Sequence, residues 1–408
     1  MEQKDYKKLI MVEVNDKAGN GKAAQSNKFY EMIWDGGSTF TVNYGRVEST
    51  STSCTYPYSQ WSAKYKEKIR KGYKDVTEFV AVTAVKNDKG TTGYAKISDG
   101  TINEFMELMR KYRDNLVSTT YSVKAEAVSQ KQVDRAQQLI DALNASIKGK
   151  ASDKIQNELL MELYTVIPRR MGNVKDHLIP SITLEKIIDQ EQDNLDAMSS
   201  QVNANKPKDK KVDAKTQTLL DEVGCTMVEV SSDKEIQYLI DQVAKLKYAR
   251  CAVKKIFRVD KEAENETFDK WLAKQKNEQT RILIHGTKCS SVLPIMQIGL
   301  KIRPKGNFQF SGKAYGDGNY FSETMEKSLG YTGWDADKII FVYEVHVGNP
   351  FNYKGWYTGN SFNLDYKNLQ QRGYDSTFVS AGNGLLNSEI IAYKEEQCRI
   401  KYIMWLTV

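Results

Sequence analysis

Residues 203–214, N-A-N-K-P-K-D-K-K-V-D-A, form a polar, lysine-rich stretch that reads as a linker. It separates two textures that one fold cannot share. Upstream, apolar residues recur at helical spacing. Ile102, Phe105, Met106 and Met109 share one face, as do Ala136, Leu139, Ile140 and Leu143. Leu159, Leu160, Leu163 and Tyr164 form a third stripe, which Pro168 ends, and Ile187, Ile188, Leu195 and Met198 form a fourth. Each stripe needs a partner to bury it, so the region predicts a helical bundle. Downstream, the chain changes to short apolar runs: C-T-M-V-E-V, C-A-V-K-K-I-F-R-V, R-I-L-I-H-G, I-I-F-V-Y-E-V-H-V, E-I-I-A-Y and R-I-K-Y-I-M-W-L. These predict a mixed α/β domain built on antiparallel sheets. The strand–helix alternation of a TIM barrel or Rossmann fold is absent, and G-K-A-Y-G-D-G does not follow a strand as G-x-G-x-x-G.

The first 96 residues have a third texture. Residues 28–34 and 39–47 read as strands joined by an Asp35-Gly36-Gly37 hairpin turn, and residues 78–85 as another strand. Residues 58–73 have helical spacing, with Trp61, Tyr65 and Ile69 on one face. Lys64, Lys66, Lys68, Arg70, Lys71 and Lys74 crowd the rest, opposed only by Glu67 and Asp75. Such a helix is either a solvated face or a phosphate-contacting one; spacing alone leaves both open. The three textures predict an α+β multidomain chain divided at 1–96, 97–206 and 207–408, consistent with domains of about 100–200 residues.

Composition excludes several classes. At 40% hydrophobic and 27% charged the chain is ordinary for a globular protein. No apolar run reaches the length of a membrane-spanning helix, and M-E-Q-K-D-Y-K-K-L-I lacks the apolar core of a secretion signal, so neither membrane insertion nor secretion is expected. Five scattered cysteines, no C-x-x-C pair and three histidines argue against a zinc finger and for a reducing compartment. A net charge of +7 permits a polyanionic partner.

Chemistry-bearing residues concentrate in residues 281–331, with an echo at 387–393. R-I-L-I-H-G-T ends in His285, Gly286 and Thr287. S-G-K-A-Y-G-D-G carries Gly312, Gly316 and Gly318 into N-Y-F-S, which holds Tyr320. N-S-E-I-I-A-Y holds Glu389. His285, Tyr320 and Glu389 each sit at the edge of a strand-like run, where a β-scaffold presents side chains to a cleft. Singly, each has a structural explanation: a histidine closing a strand, a core tyrosine, a solvent-facing glutamate.

Together and in order, H-G-T, G-L-K-I-R-P, G-x-G-x-Y-F-S, K-S-x-x-Y and S-E-I-I-A-Y followed by I-K-Y-I resemble the ADP-ribosyltransferase domain of the poly(ADP-ribose) polymerase family over residues 213–408. The hairpin ending in Tyr44-Gly45-Arg46 and the lysine-rich helix with K-G-Y resemble a WGR domain, with tyrosine in place of the name-giving tryptophan. The piece Tyr164-Thr-Val-Ile-Pro168 resembles the same family's helical regulatory domain, which restricts NAD+ access until DNA damage loosens it. The resemblance implies NAD+ as substrate, without a metal. It implies poly-ADP-ribosylation of protein acceptors with release of nicotinamide. DNA with strand breaks is the implied activator and an accessory factor a further partner. A nuclear location follows if the source is eukaryotic, cytoplasmic otherwise. By carry-over, Glu389 binds a ribose hydroxyl and polarises the attacking group, and favours polymer over single addition. His285 donates to a ribose hydroxyl, Tyr320 packs beside the nicotinamide and Tyr331 stacks on it. Ser328 and the backbone of Gly286 hold the carboxamide, and Lys327 positions Glu389 or the substrate. Tyr44, Arg46, Lys64, Lys68 and Lys71 are the implied DNA contacts. The alternatives are a mono-ADP-ribosyltransferase of the same fold, a nucleic-acid-binding scaffold without activity, and RNA as the activating polymer.

Overall fold

A computed structural model describes residues 5–15, 24–79, 94–204, 217–246, 251–303, 314–353, 364–382 and 385–408. Most of the linker (205–214), residues 80–85 of the expected strand at 78–85, Gly312, Pro304 of G-L-K-I-R-P, and residues 354–363 lie outside the described residues. The described start of that expected strand, Thr77–Phe79, is a 3-10 turn. Packing groups the chain into two compact units: Met1–Gly90 with Asn115–Lys206, and Thr91–Asp114 with Pro207–Val408.

The first unit opens with β1 (Asp5–Asn15), β2 (Ala24–Trp34), β3 (Thr39–Arg46) and β4 (Thr52–Pro57), then α1 (Trp61–Arg70) and the short β5 (Lys74–Asp75). The strands form one antiparallel sheet in the order β4-β3-β2-β1-β5. The expected hairpin turn is held by Asp35, whose carboxylate accepts from the Gly37 amide at 3.1 Å, with Gly36 at φ 98°. Alternation then decides the faces: Leu9, Met11, Tyr30, Met32, Phe40 and Val42 point one way and are covered by Trp61 and Tyr65.

Three helices complete the unit: α3 (Gln130–Lys148), α4 (Asp153–Val166) and α5 (Leu184–Ala204). They follow α2 (Gly100–Thr120) in the chain. Ser129 starts α3 with a reciprocal capping box to Gln132. The expected stripes are buried: Leu139, Ile140 and Leu143 on α3, Leu160 and Leu163 on α4, and Ile187, Ile188 and Leu195 on α5. Arg169, just past the helix-ending Pro168, forms a buried ion pair with Glu191 and lies 4.3 Å over the Tyr121 ring. Its carbonyl accepts from the Asn27 amide of β2 at 3.2 Å.

In the second unit, α6 (Leu219–Val223), α7 (Asp233–Tyr238), α8 (Glu262–Leu272), α9 (Val292–Ile298), α10 (Met325–Leu329) and α11 (Tyr366–Gln371) surround a sheet. Its strands are β6 (Thr226–Glu229), β7 (Ala252–Asp260), β8 (Thr280–Thr287), β9 (Asn319–Ser322), β10 (Asp337–His346), β11 (Pro350–Tyr353), β12 (Ser376–Val379), β13 (Glu389–Ala392) and β14 (Cys398–Thr407). The order is β11-β12-β13-β9-β8-β10-β14-β7-β6, antiparallel except for the β11–β12 pair. The mixed, mainly antiparallel architecture matches the sequence expectation for this region. Among the described residues, no helix is long and apolar enough to cross a membrane.

Helix α2 behaves in a way its periodicity does not reveal. Ile102, Phe105, Met106 and Met109 do share a face, but that face packs in the core of the second unit. Phe105 lies with its ring centroid 5.0 Å from Phe257 and 5.5 Å from Trp405. Arg113 on the same helix makes a buried ion pair with Glu222 of α6 at 2.6 Å, and the Tyr94 hydroxyl donates to the other oxygen of that carboxylate. Unpairing either charge would leave the other stranded in a low-dielectric interior. Helical spacing gives a face and no address for it, and the sequence-based boundary at residue 97 groups this segment with the bundle. Phe105→Ala should therefore destabilise the second unit by about 3–5 kcal/mol. Urea unfolding followed by tryptophan fluorescence checks this, and a midpoint equal to wild type would contradict the packing.

Candidate active site

Three adjacent strands, β13, β9 and β8, carry the residues singled out from the sequence. Glu389 opens β13 opposite Ser322, Tyr320 on β9 lies opposite Ile391, and Ser322 bridges to Ile284 on β8, next to His285. The structure thus brings His285, Tyr320 and Glu389 onto neighbouring strands, although more than a hundred residues separate the first from the last.

His285 Nδ1 lies 2.9 Å from the Tyr320 carbonyl oxygen. A carbonyl only accepts, so Nδ1 carries the proton. Burial lowers the imidazole pKa and outweighs the opposing effect of that hydrogen bond, so the neutral ring is favoured. In this tautomer Nε2 presents a lone pair and is an acceptor. A ribose hydroxyl meeting Nε2 in this tautomer would be the donor, whereas the sequence-based expectation has His285 donate. Phe321 and Tyr343 flank the ring edge-on, at centroid distances of 6.1 and 6.4 Å.

The Tyr320 hydroxyl is already engaged. It donates to the Gly316 carbonyl and accepts from the Tyr315 amide, both at 2.8 Å. It staples the glycine-bearing loop to β9, and burial holds its pKa well above that of a free tyrosine. Only the ring is left for a planar ligand. Gly316 is required in that loop, because it sits at φ 96° and a Cβ there would lie 2.1 Å from the Leu364 carbonyl oxygen.

Gly286 is tied to α10 by a closer approach. A Cβ at Gly286 would fall 1.8 Å from the Ser328 carbonyl oxygen, so β8 and α10 touch backbone to backbone. Ser328 is buried, and its carbonyl accepts from the Tyr331 amide at 3.1 Å. Tyr331 itself is exposed. One residue before Ser328, Lys327 places Nζ 2.8 Å from Glu389 Oε1, and the glutamate is 5% exposed. Gly286, Lys327, Ser328 and Glu389 are therefore one connected group.

The sequence reading missed a neighbouring cluster. Arg281 of β8 forms an ion pair with Glu323, and the Ser388 hydroxyl donates to the other oxygen of that carboxylate at 2.5 Å. These residues come from three separate stretches, and no spacing rule links them. Among the described residues, no group of three or more His, Cys, Asp or Glu could hold a metal.

In the first unit, Tyr44 and Arg46 stand on the same side of β3 and are both exposed. Lys64 Nζ lies 4.3 Å over the Tyr56 ring, and Lys68 Nζ 4.3 Å over Tyr30, whose ring centroid is 6.1 Å from that of Tyr44. Lys71 pairs with Glu67 at 2.6 Å. Lys64 and Lys68 thus lie half-buried on aromatic faces.

Residues 233–408, which hold every residue of the His285–Glu389 group, match the poly(ADP-ribose) polymerase catalytic domain. The chain is 55% identical over 174 residues to a poly(ADP-ribose) polymerase-like protein, 100L, of Invertebrate iridescent virus 6, covering 42% of this chain and 94% of that protein. It is 41% identical over 207 residues to 101L, an uncharacterized protein of the same virus, covering 51% of this chain and 82% of 101L. The alignment with the protein mono-ADP-ribosyltransferase PARP3 of Homo sapiens, 21% identical over 473 residues, spans 93% of this chain and 85% of that protein. With its catalytic-domain match and a close relative covered almost end to end, the chain belongs to the poly(ADP-ribose) polymerase family and is an NAD+ ADP-ribosyltransferase.

Proposed function

We propose that the chain transfers ADP-ribose from NAD+ to protein acceptors and extends it into polymer, and that broken DNA bound by its N-terminal sheet stimulates it. The observation that carries the polymerase reading is Glu389, buried on β13 with Lys327 at 2.8 Å. In the reaction the bond between nicotinamide and ribose C1′ breaks, and nicotinamide leaves neutral with the electron pair. The acceptor oxygen or nitrogen bonds to C1′ and loses its proton. Positive charge builds on the ribose as the bond opens. A carboxylate placed there stabilises that charge and polarises the incoming hydroxyl. Lys327 keeps the Glu389 carboxylate in one orientation before substrate arrives. His285, held by the Tyr320 carbonyl, accepts from a ribose hydroxyl through Nε2. Gly286 and Ser328 hold the carboxamide, and the rings of Tyr320 and Tyr331 take the nicotinamide.

Upstream, residues 1–96 are assigned as the WGR-like DNA contact and residues 97–206 as the regulatory helices, although residues 97–114 pack in the catalytic unit. Tyr44 and Arg46, with Lys64, Lys68 and Lys71 on α1, suit a ligand with phosphates and an exposed base face. A second reading has one specific support: a relative whose alignment spans 93% of the chain is described as a mono-ADP-ribosyltransferase.

Product length separates the two readings. On a sizing gel, wild type with nicked duplex should give long products and Glu389→Gln none, with NAD+ turnover rising on addition of the duplex. Single additions by wild type would establish the mono-transferase, and turnover indifferent to DNA would remove the sensor. Arg46→Ala should raise the DNA concentration needed for half-stimulation, and higher salt should act in the same direction.

The histidine supplies a pH test. Its folded pKa lies below its unfolded value, so the neutral form it needs is fully present above about 6.5. The stability it lends is likewise complete above that value, and is lost as pH falls through the lower, folded pKa. The acid limb of kcat/KM assigned to His285 should lie below about 6.5. An NMR titration of the His285 ring with its midpoint at or above that value would contradict the burial argument.

A further inference from the structure

We infer that Glu323 is a positioning residue for Glu389, acting through Ser388; this rests on the assignment of Glu389 as the carboxylate at the ribose. Strands β9 and β13 pair antiparallel with Ser322 opposite Glu389. The next positions in that register are Glu323, one residue past the end of β9, and Ser388, one residue before the start of β13. Strand pairing therefore stops beside the residue whose placement matters most.

Side chains take over at that point. The Ser388 hydroxyl donates to Glu323 Oε2 at 2.5 Å, a short bond of the kind an ionised acceptor makes. Arg281 pairs with Oε1 and comes from β8, the strand that also presents His285. Successive strand residues point to opposite faces, so Glu389 is directed to Lys327 while Ser388 is directed to Glu323. The start of β13 is thus held from both sides. Burial alone would raise the Glu323 carboxyl. The Ser388 hydroxyl and the Arg281 and Lys245 cations outweigh it and hold the group below the usual carboxylate range. An ionised Glu323 suits a brace, since it accepts from both partners at once.

The test uses the full chain and steady-state ADP-ribose transfer from NAD+. Glu323→Gln keeps the shape and removes the charge. It should lower kcat about tenfold while KM for NAD+ stays within about twofold, because the substrate cradle is intact and only the reacting carboxylate has lost its placement. Ser388→Ala should give a similar fall, and the double variant should fall no further than the weaker single, as for two parts of one device. Rates are expressed per folded molecule, measured by circular dichroism. A kcat per folded molecule equal to wild type in both singles overturns the inference, and so do effects that multiply in the double variant. If Glu323→Gln fails to fold, Ser388→Ala decides alone by the same criterion. Glu389→Gln is run alongside. If it extends polymer as wild type does, the assignment of Glu389 has failed; if it is inactive while Glu323→Gln is normal, only the brace has failed.

Discussion

The contact between Gly286 and the Ser328 carbonyl is the constraint on which the site depends. Two backbones meet there with no room for a side chain, and the meeting fixes α10 against β8. Everything α10 contributes follows from it. Lys327 reaches Glu389 because its helix starts at that depth, and Tyr331 emerges at the surface because the Ser328 carbonyl ties its amide. The histidine next door is fixed by a second backbone group, the Tyr320 carbonyl. Main-chain atoms thus set the position of both groups, and main-chain atoms do not have rotamers to lose.

The chemistry then rests on charge held in low dielectric. Glu389 is buried with one cation, Glu323 with a hydroxyl and cations, and His285 is kept neutral by burial. Each of the three is held by a protein partner: Glu389 by Lys327, Glu323 by Ser388 and His285 by the Tyr320 carbonyl. The same is true of the glycine-bearing loop. The Tyr320 hydroxyl holds that loop to β9.

Much of this was legible in the sequence, and the boundary of legibility is physical. The amphipathic stripes of α3, α4 and α5, the Asp35–Gly37 hairpin and the strands holding His285, Tyr320 and Glu389 all follow from local periodicity. Strand β1 was not singled out, because its lysines and glutamate sit among its apolar residues. The partner of α2 was invisible, since Phe105 meets Phe257 and Trp405 from far along the chain. The Arg281–Glu323–Ser388 cluster was invisible for the same reason, and the protonated nitrogen of His285 could be read only once its carbonyl partner was in view.

Helix α2 has a consequence for anyone dividing this gene. Its residues up to Asp114 belong with the catalytic half and those from Asn115 with the other. A catalytic fragment begun at the lysine-rich linker would lose Ile102, Phe105, Met106 and Met109, and would strand Glu222 without Arg113. It would present an oily trench and an orphan charge to water, and such fragments clump. The natural seam lies inside a helix, where neither composition nor a run of lysines marks it.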